Sequence, residues 1–356
     1  MSRPVVCVDG DALLDEVLRV AAAAGCALDR VADAADLRAH WHDAPMVVID
    51  ADTVAASLAF ALPRRESVVV VSAGAPPPTL WPDALALGAH HVVMLPDDEA
   101  RLADAFADAT ERPARQAGHT VAVIGGRGGA GASVFAAAMA LTALEVGRDA
   151  LLVDCDPLGG GLDLLLGAER SEGMRWPDLR LTSGRVPAAG LRAALPSRVK
   201  GDARLSLLSG AREGEEPSPD AVAAVLDAGR RAGDMVICDL PRAPTGAAQA
   251  VLDRADLAVV VVPAELRACA AAQHVAARIV GQGIRIGTVV RTSPDLGLRP
   301  RRIAEVLGLP LIATVRSDPA LPRSLDTNGF RVSPRTSLAQ AARAALRLTS
   351  PQDTVQ

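Results

Sequence analysis

The chain has 356 residues, 50% hydrophobic and 22% charged, which is a soluble globular composition with length for two domains. Three Trp, four Phe and no Tyr leave no aromatic platform for single-stranded nucleic acid, and five scattered Cys without a C-x-x-C pair argue against a disulfide framework or zinc site. The net charge of −5 divides unevenly: residues 1–115 carry 9 basic and 18 acidic side chains, the segment from Arg285 onward 11 and 5. That asymmetry suits interdomain docking or an anionic partner, and equally a solvated surface.

The cysteine usage fits a reducing cytoplasm. The N-terminus MSRPVVCVDGDALLDE has no signal-peptide core, and no apolar run reaches the length of a spanning helix. Lys200 is the one lysine among 37 basic residues, so any mechanism that needs a lysine has one candidate.

From the N-terminus, four Val/Ile-rich runs read as buried parallel strands: Val5–Val8, Met46–Ile49, Val68–Val71 and Val92–Leu95. Helix-like stretches lie between and after them, at Asp11–Ala24, Asp83–Ala86 and Glu99–Ala109. This βα repetition predicts a small doubly wound α/β domain over residues 1–112, with a polar linker at 113–119. Asp9 and Asp50 end the first two runs and Ser72 follows the third. In this the segment resembles a response-regulator receiver, flavodoxin-like in fold. The resemblance implies Asp50 as phosphoacceptor, Asp9 as a magnesium acid and Ser72 as the strand-four hydroxyl. Leu95 stands where receivers carry lysine, and Gly10 where they carry a second acid. Without that lysine the expected role is a pseudo-receiver used for docking. A plain capping role for Asp50 is the alternative.

A second βα series is predicted over 120–349, before a tail at 350–356. Its strands are Val121–Ile124, Ala150–Val153, Leu205–Leu208, Met235–Cys238, Leu257–Val262, Ile286–Val290 and Leu311–Ala313. Helices are predicted at Ser133–Glu145, Ala221–Ala232, Gly246–Arg254, Cys269–Val280, Pro300–Leu307 and Leu338–Leu348, with a loop at Gly210–Pro219.

The first of these strands runs into Gly125, Gly126, Arg127, Gly128, Gly129, Ala130, Gly131, Ala132 and Ser133, then an apolar helix. A strand, a glycine-rich turn and a helix N-terminus make an anion cradle of backbone N–H groups. The spacing is that of a phosphate loop, G-x-x-x-x-G-K-[ST], with Ala132 at the lysine position.

The stretch 127–133 resembles the deviant phosphate loop of the MinD/ParA ATPase superfamily, K-G-G-x-G-K-[ST]. The resemblance places Gly126 to Ser133 around the phosphates of ATP, with Ser133 on magnesium. Arg127 stands where the family's first lysine crosses a dimer interface, and arginine keeps a charge and a phosphate fork there. Leu151–Pro157 and Met235–Pro241 resemble the family's two acidic strands. They imply Asp154 and Asp239 in the magnesium shell and Asp156 as the residue orienting the attacking water. Arg291 and Asp318 fall in the adenine region, Arg291 in place of the usual Asn. The absent lysine predicts a pseudo-ATPase, or a weak ATPase at most.

A receiver-like front with a MinD-like rear resembles the CpaE/TadZ group, and within it the CpaE-like septum site-determining proteins. The implied function is a cytoplasmic regulator of septum placement or of pilus and secretion-system positioning. It would act through a homodimer and through cell-division or pilus/secretion partners. Two alternatives stay open: a working MinD-type ATPase that uses Arg127, and a ParA-like DNA-binding partition protein drawing on Arg299-Pro-Arg-Arg302. DNA is the less favoured partner. Leu338–Leu348 offers a weakly amphipathic surface for anionic lipid at the inner face of the membrane, or a final core helix. His90-His91 lacks companions at metal spacing.

Overall fold

The computed structural model describes residues 3–65, 67–110, 118–179, 186–210, 216–293 and 297–349. The chain divides into two compact units, residues 1–112 and 113–356.

In the front unit, β1 (Val5–Cys7), β2 (Asp29–Arg30), β3 (Val47–Ile49), β4 (Val68–Ala73) and β5 (Ala89–Leu95) form one parallel sheet in the order β2-β1-β3-β4-β5. That is the order of flavodoxin-like receivers. The helices are α1 (Asp11–Ala23), α2 (Ala34–His40), α3 (Ala51–Ala59), α4 (Leu80–Leu87) and α5 (Glu99–Thr110). Two cores result. One packs Leu14, Val17, Leu102 and Phe106 on one sheet face, and the other packs Leu37, Trp41, Val54 and Leu87. β2, α2 and α3 were not predicted. β2 is two exposed residues, too short to carry a pattern, whereas Asp33 and Asp50 cap α2 and α3 with their side chains.

The second unit holds an eight-stranded sheet: β6 (His119–Gly125), β7 (Ala150–Asp154), β8 (Ser197–Lys200), β9 (Ala203–Leu208), β10 (Met235–Leu240), β11 (Leu257–Pro263), β12 (Arg285–Thr292) and β13 (Leu311–Arg316). The order is β13-β12-β11-β6-β10-β7-β9-β8. All neighbours are parallel except β8 and β9. β8 is the unpredicted antiparallel edge. Its four residues are exposed, so no apolar run announced it, and Gly201 at φ +59° makes the two-residue turn into β9.

The helices are α6 (Ala132–Glu145), α7 (Leu162–Leu166), α8 (Ala188–Ala194), α9 (Pro219–Arg231), α10 (Gly246–Leu252), α11 (Leu266–Ile279), α12 (Pro300–Leu307), α13 (Leu321–Asn328) and α14 (Ser337–Arg347). Two boundaries need correction. His119 belongs to β6 rather than to the linker, since its N–H bonds Asp234 O at 3.1 Å. Pro219 opens α9 instead of ending a loop, because Ser218 caps that helix and Pro suits its first turn. Positions 113–117, 211–215 and 350–356 of the predicted linker, loop and tail lie outside the described residues. α7, α8 and α13 are short and were not predicted.

α6 is apolar all round, with Phe135 to Leu144 buried. A helix of that kind has to be sandwiched. Sheet residues such as Val123, Ile237 and Val259 lie in the same core as Ala341, Ala342, Ala345 and Leu346 of α14. α14 is therefore a core helix, and its apolar side is already buried within the unit. The described residues include no helix long and apolar enough to cross a membrane.

Candidate nucleotide site

The chain passes from β6 into α6 through Gly126–Gly131. Gly126 donates its N–H to Val261 O at 2.9 Å, which pins the start of the loop to β11. A Cβ there would stand 2.7 Å from Ala272 Cβ, so position 126 has room for glycine alone. Gly131 has φ +95° and caps α6 without any side-chain bond. The first-turn donors of α6 are thus left uncapped. Among the described residues, none accepts a hydrogen bond from the backbone N–H of Gly128, Gly129 or Gly131. At Gly128 and Gly129 an added Cβ would meet nothing within 4 Å. These groups and the dipole of α6 form an open cradle for an anion.

The acids stand beside it. Asp154 and Asp239 are register partners on β7 and β10. Asp239 is 4% exposed, and its carboxyl lies close enough to the Ser133 hydroxyl to be influenced by it. Burial pushes Asp239 up to about 7, against the Ser133 hydroxyl, with the nearby charges of Asp154 and Asp156 adding to the rise. Asp154 is engaged by its own chain. Its oxygens accept from Asp156 N at 3.2 Å, Leu162 N at 3.0 Å and Ser209 Oγ at 3.4 Å. It shapes the 155–162 loop as an anchor. Asp156 is half-buried and accepts from Leu158 N at 3.1 Å. No cluster of three or more His, Cys, Asp or Glu poised for a metal occurs among the described residues. Magnesium held by Ser133, Asp239 and a ligand's phosphates needs no such cluster.

Three cations bear on the missing lysine. Lys200 pairs with Glu145, the last residue of α6, about 20 Å from the loop by helix rise. It cannot substitute. Arg127 is held inside its own chain by Glu265, at 2.7 Å. Arg291, at the end of β12, donates Nη2 to Gly129 O at 3.2 Å and lies against Gly131. Arg291 also lines a cavity of about 430 Å³ that opens onto the loop at Ala130 and Gly131. Asp318 lines the same cavity, with its carboxylate turned onto Ala320 N at 2.9 Å. Phe330 closes it from the segment after α13. Glu265 and Phe330 escaped the sequence reading. Glu265 follows β11 at a strand's C-terminal end, where doubly wound sheets collect ligand chemistry, and that position was its one signal.

The receiver-like pocket is differently built. Asp50 is 6% exposed, and both its oxygens are taken by backbone. Oδ2 accepts from Asp9 N at 2.5 Å and Oδ1 from Thr53 N at 2.9 Å. Asp9 is exposed, Ser72 is half-buried, and Leu95 is 3% exposed in the lysine position. Asp50 acts as the cap of α3. Replacing it with Ala leaves Asp9 N and Thr53 N unsatisfied and costs about 2 kcal/mol. Urea unfolding of the front unit measures this. Incubation with acetyl phosphate should leave the intact mass unchanged. An acyl-phosphate adduct on Asp50 would contradict the capping role.

Comparison with known proteins agrees with this architecture. Residues 6–118 match the family described as "Rv3660c-like, CheY-like N-terminal domain". The chain is 45% identical over 337 residues to protein Rv3660c of Mycobacterium tuberculosis, covering 94% of each. Among solved structures it resembles a ParA family ATPase from Chlorobium tepidum, with TM-score 0.56 and 20% identity over 65% of this chain and 98% of that one. It also resembles the septum site-determining protein MinD of Pyrococcus horikoshii in complex with Mg-ADP, with TM-score 0.52 and 21% identity over 67% and 96%. At that identity the likeness is one of fold. The chain belongs to the Rv3660c-like family, with a CheY-like N-terminal domain joined to a domain of the MinD/ParA ATPase fold.

Proposed function

We propose that this protein is a positioning regulator of the CpaE/MinD kind. On this reading it governs septum placement, or pilus and secretion assembly, through partners docked on its pseudo-receiver and a nucleotide-responsive second unit. One observation carries the nucleotide half: the uncapped loop facing the Ser133–Asp239 pair on a MinD/ParA fold. The N–H groups of Gly128, Gly129 and Gly131 would hold phosphates, and Ser133 and Asp239 a magnesium ion. Magnesium, when bound, neutralises phosphate charge. The chain's own part is to bind and orient. With alanine at 132, hydrolysis is slow at best, so the nucleotide acts as a switch on assembly.

Arg127 gives that switch its connection to dimerisation. Its bond to Glu265 is intramolecular, and a guanidinium held there is unavailable to a second copy. Phosphate in a second copy's loop would compete with Glu265 for the same fork. Titration of the purified protein with Mg-ATP by calorimetry, with light scattering alongside, tests the reading. The expected result is binding coupled to a doubling of mass, with the mass change lost in Arg127→Ala. A monomer that ignores millimolar Mg-ATP would remove the nucleotide half. Unaltered cell length and septum position on both depletion and overproduction would remove the septum half.

A further inference from the structure

We propose that Arg291 supplies, from the end of β12, the cationic phosphate contact that position 132 of the loop lacks. This rests on the nucleotide reading above and names the residue that makes it work. The chain has lost its loop lysine to Ala132, and its one lysine is tied to Glu145 at the far end of α6. Arg127 is engaged by Glu265. Among the described residues outside the loop, Arg291 is a cation that touches it. Nη2 donates to Gly129 O at 3.2 Å, and Nη1 lies 3.7 Å from where a Cβ on Gly131 would stand, one residue before Ala132.

A guanidinium carries five N–H donors in a planar fork. The bond to Gly129 O orients that fork at the mouth of the cradle and leaves donors for a ligand. The position is costly without an anion. Burial lowers the Arg291 pKa from the ordinary arginine value, and the Arg127 charge lowers it further, with Glu265 opposing. Arg127 and Arg291 share the single carboxylate of Glu265 on this side of the loop, and a phosphate group would give the second guanidinium its own counter-charge. Arg316 and Arg331 line the same cavity but are exposed. Arg291 is half-buried and continuous with the loop. An arginine has no acceptor atom, so it cannot read the amino group of adenine as an asparagine carbonyl does. Its recognition is of phosphate.

The test uses the full-length protein, with Mg-ATP and magnesium pyrophosphate as probes. Arg291→Ala should weaken both by a common factor of about tenfold to a hundredfold, the usual worth of one charge-assisted contact. Arg291→Lys should retain part of the affinity. Adding Ala132→Lys to Arg291→Ala should restore it by returning a cation from the other side of the loop. Thermal melting without ligand reports whether each variant is folded. Equal binding by wild type and Arg291→Ala overturns the assignment and leaves the nucleotide reading intact. So does a loss confined to ATP with pyrophosphate unchanged, which would put Arg291 on the base or ribose. Tighter binding by Arg291→Ala would make it a plug and also overturns it. Failure of wild type to bind either probe overturns both readings together.

Discussion

Restoring lysine at position 132 should raise the affinity for Mg-ATP by roughly tenfold to a hundredfold, and raise turnover on the order of a hundredfold above wild type. Ala132 is the first residue of α6, half-buried, with the cradle donors on either side of it. Ala132 packs at the margin of the core, so the stem of a lysine there has to turn out of it to reach the anion site. The same substitution should slightly destabilise the free protein. A cation in the first turn opposes the helix dipole and joins Arg127 and Arg291 around one carboxylate, at about 0.3–1 kcal/mol. The expected signature is a melting temperature lower than wild type without nucleotide and higher with it. Calorimetry and a phosphate-release assay check both halves. If Ala132→Lys changes neither binding nor turnover, the loop is not a phosphate site, and its glycines serve packing alone.

The fold was legible where apolar runs coincide with strands. Val259–Val262 and Val68–Val71 have a composition that only a buried strand satisfies, and both lie in central strands. Elements set by caps or edges were not. Asp50 caps α3, yet the same residue at a strand end reads equally as the phosphoacceptor of a receiver. β8 is four exposed residues whose strand state comes from pairing with β9, a contact that no local pattern encodes.

Glycine spacing marked the strand–turn–helix at 125–133, and the family resemblance marked the strands that carry Asp154 and Asp239, because both are local signals. What spacing could not show was where long side chains turn. Arg127 and Glu265 are 138 residues apart, and Arg291 and Gly129 are 162 apart. These tertiary contacts set Arg127 against Glu265 and Arg291 against the loop. They also change the meaning of the arginine at 127. By resemblance it stands where a lysine would cross to a partner, and in the folded chain it is held by Glu265.

Asp239 supplies the sharpest pH dependence. Its carboxyl titrates near 3.8 in the unfolded chain and at about 7 in the folded one. The folded state therefore keeps a proton that the unfolded state releases, and stability falls as pH rises from the lower value through the upper one. Three units at 1.36 kcal/mol each set a ceiling of about 4 kcal/mol. Relaxation around a carboxylate at the mouth of an open cradle reduces this to about 1–3 kcal/mol. Asp239→Asn removes the charge and keeps the shape and a polar group beside Ser133. It should raise the melting temperature at pH 8 by roughly 3–10 °C and leave it unchanged near pH 4. Asp154 is raised by burial in the same direction, so a weaker slope survives in the variant. Magnesium with nucleotide acts unequally on the two proteins. A bound cation favours the ionised carboxylate, so it stabilises wild type and has little effect on Asp239→Asn. Thermal melts at pH 4 and pH 8, with and without Mg-ATP, give four comparisons. Destabilisation of Asp239→Asn at pH 8 would mean that the buried carboxylate is already compensated by the chain. The carboxyl would then be a structural partner of Ser133 with no unmet charge to offer a metal.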